Sequence, residues 1–213
     1  MARQRPHDTP AGANPDVRNL RMETLSAGWF TLRRATFDYR RSDGSWHEEQ
    51  REAYDRGNGA VALLHDPDRD TVLLVRQYRL PVHVNGHPDG MLLEAPAGLI
   101  DDGEGAADAM RRELEEEVGH RIASLTRLWT LYMSPGSVTE HLTFFLGRYD
   151  SSTREGPGGG DGHDGEDVRI VELTLPRALA MIESGEIADA KTVLLLHHLR
   201  TQVAVTALEP TTG

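Results

Sequence analysis

The most informative part of the sequence lies at residues 94–120, which read EAPAGLIDDGEGAADAMRRELEEEVGH. The second half of this stretch predicts an α-helix from Gly105 to Val118. Gly119 is the expected C-terminal cap, because glycine adopts the left-handed conformation that ends many helices at little cost. The stretch therefore supplies one well-defined helix in the middle of the chain, from which the rest can be interpreted.

Three carboxylates share one face of this predicted helix. At about 100° per residue, Glu113, Glu116 and Glu117 lie within roughly a quarter-turn of one another, beside an apolar stripe. Like charges at these spacings repel by about 0.2–0.5 kcal/mol per pair in an isolated helix. A bare acidic run is most often a solvated helix face, but a hard divalent cation with oxygen ligands would compensate the repulsion. The stripe is thus a candidate site for a hard divalent cation.

Composition narrows the class of protein. The chain has 213 residues, 38% of them hydrophobic, which is enough for one sizeable domain with a core. Its net charge of −11 argues against a nucleic-acid partner held by phosphate neutralisation. The absence of cysteine excludes disulfides and thiolate catalysis, and it fits a reducing cytoplasm, where we expect the protein to act. The longest apolar runs are too short to span a bilayer, so we expect no membrane association.

The order of the predicted elements indicates an α+β fold with a mixed β-sheet. Strands are predicted at residues 29–40, 46–54, 60–65, 71–76, 91–95, 124–131, 141–149 and 168–173, and the later helices at 176–185 and 190–203. We divide the chain into a disordered arm (1–20), an N-terminal antiparallel β region (21–57), a main domain (58–204) and a tail (205–213). The glycine-rich, acidic segment at 154–167 is predicted to be an open loop, because glycine is costly to order.

The spacing of the fixed residues between 98 and 119 resembles the Nudix box, Gly-x5-Glu-x7-Arg-Glu-U-x-Glu-Glu-x-Gly-U, where U is apolar. Its fixed positions are filled by Gly98, Glu104, Arg112, Glu113, Leu114, Glu116, Glu117 and Gly119. The one departure is His120, where the last apolar residue is expected. The sequence is therefore similar to the Nudix hydrolases. That resemblance implies an α/β/α sandwich and metal-dependent cleavage of a nucleoside diphosphate linked to another group.

Resemblance extends beyond the box, over roughly residues 22–202. Residues 51–59, 75–79 and 131–140 resemble the ADP-ribose/GDP-mannose pyrophosphatase branch, and residues 158–160 and 185–193 resemble its GDP-mannose subgroup. The implied reaction converts a GDP-mannose-like nucleoside diphosphate sugar to a nucleoside monophosphate and a sugar 1-phosphate. One alternative is an ADP-ribose pyrophosphatase that yields AMP and ribose 5-phosphate. Another is a non-catalytic nucleotide-sugar sensor, against which the intact carboxylate run argues.

The resemblance also implies roles for individual residues. The expected metal is Mg²⁺, with Mn²⁺ as the alternative, and its expected ligands are the backbone carbonyl of Ala97 and the carboxylates of Glu113, Glu117 and Glu166. Glu116 would be a further ligand or would orient the ligands. The expected catalytic residues are Glu113, Glu116, Glu117, Glu140 and Glu166, and the general base is left open between Glu140, Asp164 and Glu166. The expected substrate contacts are Trp29, Arg51, Glu52, Arg79, Gly98, Leu99, Glu140 and Lys191. Trp29 would stack on the nucleobase from the partner subunit of a homodimer, and Arg112 with Glu104 would brace the carboxylates.

Overall fold

The computed structural model describes residues 14–160 and 167–208, with the side chains of 205–208 left out. The chain divides into two compact units, residues 1–58 with 134–140 and residues 59–133 with 141–213. Among the described residues, no helix combines the length and apolar character needed to cross a lipid bilayer.

The first unit is built on an antiparallel sheet. Its three strands are β1 (Val17–Ala27), β2 (Thr31–Arg40) and β3 (Trp46–Asp55), and β2 lies between the other two. Because β1 begins at Val17, the expected disordered arm of residues 1–20 is wrong for its last four residues. This strand could not be predicted from the sequence, because most of its side chains are exposed and it therefore lacks an apolar alternation. Its regularity comes from pairing with β2.

The second unit contains a seven-stranded mixed sheet. Its strands are β4 (Gly59–Asp66), β5 (Thr71–Tyr78), β6 (Met91–Glu94), β7 (Ala97–Leu99), β8 (Leu125–Tyr132), β9 (His141–Arg148) and β10 (Arg169–Thr174). The main path runs β10–β5–β4–β9–β8, with β6 beside β5 and β7 beside β4. The pair of β4 with β9 is parallel, whereas β4 and β5 are antiparallel. The predicted mixed sheet is confirmed.

Helices cover both faces of this sheet. Besides the short α1 (Leu80–Val84), which has no buried residue, they are α2 (Ala106–Glu113), α3 (Leu175–Glu183) and α4 (Ala190–Leu208). Side chains alternate across a strand, so Val61 and Leu63 of β4 enter the core that includes α3 and α4. Ala62 and Leu64 enter the opposite core, which includes α2. This accounts for the continuous apolar run of β4, which is buried on both faces, and it confirms the predicted α/β/α sandwich.

The helix that carries the carboxylates is not regular throughout. After α2 ends at Glu113, the chain widens into a π-helical turn at Leu114–Val118, which we call the π turn. Gly119 ends it with a φ of 71°, as expected for the cap. The spacing of 100° per residue therefore holds only as far as Glu113. A single widened turn leaves the apolar pattern almost unchanged, so the sequence predicted one uninterrupted α-helix.

The described part of the glycine-rich segment is packed, and the expected open loop is wrong for residues 155–160. Gly159 and Gly160 donate backbone hydrogen bonds to the carbonyls of Glu117 and Glu116, at 2.9 and 3.0 Å. The Gly159 carbonyl accepts a hydrogen bond from Val168 at 3.1 Å. Composition pointed to an unfavourable ordering entropy, but it could not show that a helix end offers acceptors to this segment. Glu166 lies outside the described residues.

Candidate functional site

The candidate site of the second unit lies where β7 meets the end of α2 and the π turn. Glu113 and Glu117 are only 8% and 2% exposed. The Ala97 N–H donates to Glu117 Oε2 at 3.1 Å. A Cβ atom at Gly98 would overlap the carboxyl group of Glu113, so only glycine permits this approach of strand to helix. The structure thus brings four of the predicted site residues together through one short strand.

Arg112 occupies the centre of the carboxylate group. Its Nη1 donates to Glu113 Oε1 at 2.9 Å and to Glu116 Oε2 at 3.2 Å. Its Nη2 donates to the Leu99 carbonyl at 3.2 Å and to Glu104 Oε2 at 3.3 Å. Burial alone would lower the pKa of Arg112, but the hydrogen bond to Glu104 and the charge of Glu113 raise it. Arg112 is therefore a fixed cation that offsets the repulsion between the carboxylates and links them to β7.

The oxygen atoms around Ala97 are suitable ligands for a hard cation. Within the described ranges, no three His, Cys, Asp or Glu side chains are grouped closely enough to hold a metal ion by themselves. Glu113 and Glu117 nevertheless offer buried carboxylates. In a strand, the N–H and C=O of one residue point to the same edge. The Ala97 N–H points towards Glu117, so the Ala97 carbonyl points to that side as well. This all-oxygen set fits Mg²⁺ or Mn²⁺ rather than a softer metal.

A second cluster of charges surrounds Glu94, the last residue of β6. Its side chain is buried, and Arg79 Nε and Nη2 donate to its two oxygens at 2.9 Å each. Lys191 Nζ contacts Oε2, also at 2.9 Å. Burial alone would raise the pKa of Glu94, but the hydrogen bonds and charges of Arg79 and Lys191 lower it to about 2. Glu94 is therefore an ionised carboxylate that holds two of the predicted substrate-binding cations.

The network continues into the N-terminus of α4. Lys191 is only 12% exposed and also contacts Asp189 Oδ1 at 2.9 Å, so it is not a solvated surface lysine. Asp189 accepts hydrogen bonds from the N–H and hydroxyl of Thr192. The Thr192 hydroxyl in turn accepts a hydrogen bond from Ala95 N–H at 2.7 Å. These contacts attach α4 to the chain segment between β6 and β7.

Sequence reasoning missed Glu94 and Thr192. The available signal was the single carboxylate at the end of the apolar run at residues 91–95. Acidic side chains are almost never fully buried unless they are paired, so a carboxylate in a buried strand calls for a cation nearby. The sequence could not say which cations these are, because Arg79 and Lys191 come from distant parts of the chain.

The remaining predicted substrate residues lie in the first unit. Trp29 follows β1 and is 87% exposed, so it is not a core aromatic. Ion pairs engage the other three: Arg51 with Glu49 at 3.0 Å, Glu52 with Arg34 at 3.3 Å, and Glu140 with Arg56 at 3.3 Å. The predicted site residues are thus divided between the two units, with Trp29, Arg51, Glu52 and Glu140 in the first.

His120, the departure from the box, fills the place of an apolar residue. It is buried, its Nδ1 lies 2.9 Å from Thr153 Oγ1, and its ring meets Tyr149 edge to face at 5.4 Å. Burial and the charge of Arg154 lower its pKa. A neutral imidazole with one hydrogen-bond partner can pack here much as an aliphatic side chain would.

Known proteins resemble this chain in both sequence and fold. The family model of the NUDIX domain matches residues 55–196, and that of the GDP-mannose pyrophosphatase NudK N-terminal domain matches residues 16–54. The chain is 46% identical over 182 residues to a GDP-mannose pyrophosphatase of Salmonella paratyphi B, covering 85% of this chain and 94% of the relative. It is 44% identical over 186 residues to a GDP-mannose pyrophosphatase of Klebsiella pneumoniae, covering 87% and 92%. In fold it is similar to a solved ADP compounds hydrolase, with a TM-score of 0.69 and 22% identity over 92% of this chain and 98% of that one.

Proposed function

The chain belongs to the Nudix hydrolase family, and from this premise we propose that it is a metal-dependent pyrophosphatase of nucleoside diphosphate sugars, with GDP-mannose as its substrate. The observation that carries the proposal is the placement of two buried carboxylates, Glu113 and Glu117, against the glycine-containing strand at Ala97–Leu99. The similarity to GDP-mannose pyrophosphatases supports the choice of substrate.

The residues around Ala97 would hold the metal. Glu113, Glu117 and the Ala97 carbonyl are the proposed ligands of Mg²⁺ or Mn²⁺, and Glu166 is the proposed additional carboxylate. When bound, such a cation neutralises phosphate oxygens and lowers the pKa of the attacking water. The Ala97 N–H fixes one oxygen of Glu117, and Arg112 fixes Glu113. Both carboxylates are thus held in place by groups that are not themselves proposed ligands.

Arg79 and Lys191 are the proposed contacts to the diphosphate. A guanidinium fork suits paired phosphate oxygens, and an ammonium group adds a compact charge. Because Glu94 fixes both side chains, the diphosphate would meet two cations at a set separation. Water attack on one phosphorus breaks the bond to the bridging oxygen and yields GMP and mannose 1-phosphate. We propose the general base among Glu140, Asp164 and Glu166, of which Glu140 lies in the described part.

The test of this function is a substrate panel. We expect the purified protein with Mg²⁺ to convert GDP-mannose to GMP and mannose 1-phosphate, resolved by chromatography, and to lose this activity when EDTA removes the metal. Faster release of AMP and ribose 5-phosphate from ADP-ribose would make it an ADP-ribose pyrophosphatase. Binding of GDP-mannose without turnover at any metal concentration would identify a sensor.

We further propose a cytoplasmic homodimer in which Trp29, Arg51 and Glu52 contact the nucleobase bound by the partner subunit. The exposed indole of Trp29 supports this proposal, since a large apolar ring left in water is a common feature of binding surfaces. We expect light scattering at micromolar concentration to give twice the mass of the 23.6 kDa chain. A monomeric mass, with specific activity unchanged on dilution, would contradict the dimer.

A further inference from the structure

The end of the carboxylate-bearing helix has more acceptors than the helix itself can satisfy. The last four carbonyls of any helix lack an intrahelical donor. In this helix, Gly119 N–H bonds to the Glu115 carbonyl at 3.2 Å. The carbonyls of Glu116 and Glu117 are instead satisfied from outside, by Gly160 N–H at 3.0 Å and Gly159 N–H at 2.9 Å. The backbone of the two carboxylate residues is therefore fixed by a segment some forty residues further along the chain.

Only glycine can make this contact. The φ angles of Gly158, Gly159 and Gly160 are 68°, 112° and 84°, a run of three residues in the region that other amino acids avoid. A Cβ atom at Gly158 would lie 2.7 Å from the Glu117 carbonyl oxygen and 2.8 Å from the Val118 carbonyl carbon. Among the described residues, a Cβ atom at Gly159 would meet only the Val168 oxygen, at 3.9 Å. Gly158 is thus required for space and conformation, and Gly159 for conformation alone.

We propose that Gly158–Gly160, the glycine brace, is a positioning element that holds the π turn so that Glu117, a proposed ligand, is presented at the geometry the metal requires. The inference rests on the proposed function, since it concerns the same carboxylates. Ala97 N–H holds the Glu117 side chain on one side, and the glycine brace holds the Glu117 main chain on another. A π-helical turn has fewer regular internal hydrogen bonds than an α-helix, so the hydrogen bonds from the glycine brace determine its position.

The central test is Gly159→Ala. This change adds a Cβ atom where the described residues leave room, so its effect comes from the φ of 112°, which lies beyond the left-handed region that other amino acids can adopt. We expect Gly159→Ala to weaken Mn²⁺ binding to the free protein by about tenfold, measured by electron paramagnetic resonance titration. The kcat of this variant should fall as well.

Two more variants complete the test, one with a larger expected effect and one as a control. Gly158→Ala pushes on the Glu117 carbonyl and should weaken Mn²⁺ binding at least as much as Gly159→Ala. Gly156→Ala is the matched control, because a Cβ atom there meets no atom of the described residues within 4 Å and its φ is ordinary. Hydrogen exchange of the metal-free protein supplies a readout that needs no metal. The amides of residues 159 and 160 should be protected in the wild type and in Gly156→Ala, and should exchange quickly in Gly158→Ala.

The outcomes separate positioning from a purely structural role. If the glycines serve stability alone, Gly158→Ala and Gly159→Ala will lower the Tm but, while natively folded, keep Mn²⁺ affinity and kcat within twofold of Gly156→Ala. That result would overturn the inference, as would rapid exchange of both amides in the wild type. A wild-type protein that hydrolyses no nucleotide sugar would refute the proposed function separately, since Mn²⁺ affinity and amide exchange are measured without substrate.

Discussion

Replacing Glu117 with glutamine should lower kcat by at least about a hundredfold, because the change removes a proposed metal ligand and not merely a group that orients one. The fold should persist. Glutamine keeps the shape of the side chain, and its amide oxygen can still accept the hydrogen bond from Ala97 N–H. The measurement is kcat for GDP-mannose hydrolysis at saturating Mg²⁺. The Tm of the metal-free variant should equal that of the wild type or be slightly higher, since one of several like charges is removed.

The same turn offers the control. Glu115 is exposed and paired with Arg121 at 3.0 Å, away from the buried carboxylates. Glu115→Gln therefore makes the same chemical change two residues earlier and should leave kcat near the wild-type value. If Glu117→Gln kept near-normal turnover as well, Glu117 would have no part in the mechanism.

Replacing Glu94 with glutamine should destabilise the protein at neutral pH by about 3 kcal/mol, because it leaves the charges of Arg79 and Lys191 without their shared buried partner. The expected pH dependence follows from the direction of the shift. The pKa of Glu94 falls from its ordinary 4.5 to about 2 on folding. Its contribution to stability, on the order of 3 kcal/mol, is thus complete above pH 4.5 and is lost as the pH falls towards 2.

Urea denaturation over a pH series measures this contribution directly. The difference in unfolding free energy between the wild type and Glu94→Gln should be largest at neutral pH and should shrink between about pH 4.5 and pH 2. Glu155→Gln is the control, because Glu155 forms an exposed ion pair with Arg121 that water already screens. A gap between wild type and Glu94→Gln that stayed constant down to pH 2 would contradict an ionised Glu94.

The sequence predicted well those parts of the site that depend on local spacing. The box residues from Gly98 to Gly119 occupy neighbouring positions in the structure because one strand, one loop and one helix contain them all. β4 and β5 were predictable because burial on both faces demands continuous apolar runs. The glycine of the box at position 98 also has a structural reason, because a Cβ atom there would overlap the side chain of Glu113.

The parts that were not predicted depend on contacts between distant segments. The polar strand β1 exists because β2 pairs with it, and no apolar alternation marks it. The Glu94 cluster joins residues 79, 94 and 191, which nothing in the local sequence connects. The packing of Gly159 and Gly160 likewise depends on acceptors that a helix end supplies. Composition can indicate that a segment is costly to order, but not that a helix end elsewhere in the chain offers hydrogen-bond acceptors to it.

The sharing of Glu94 by Arg79 and Lys191 also limits how this sequence can drift over generations. Loss of either cation would leave a carboxylate that is 1% exposed with only part of its compensation, and loss of both would leave it bare. Genotypes that keep only one or two of the three residues are therefore destabilised, so selection for stability should retain the three together. The three positions, 79, 94 and 191, span more than a hundred residues, yet substitutions at them should be strongly coupled.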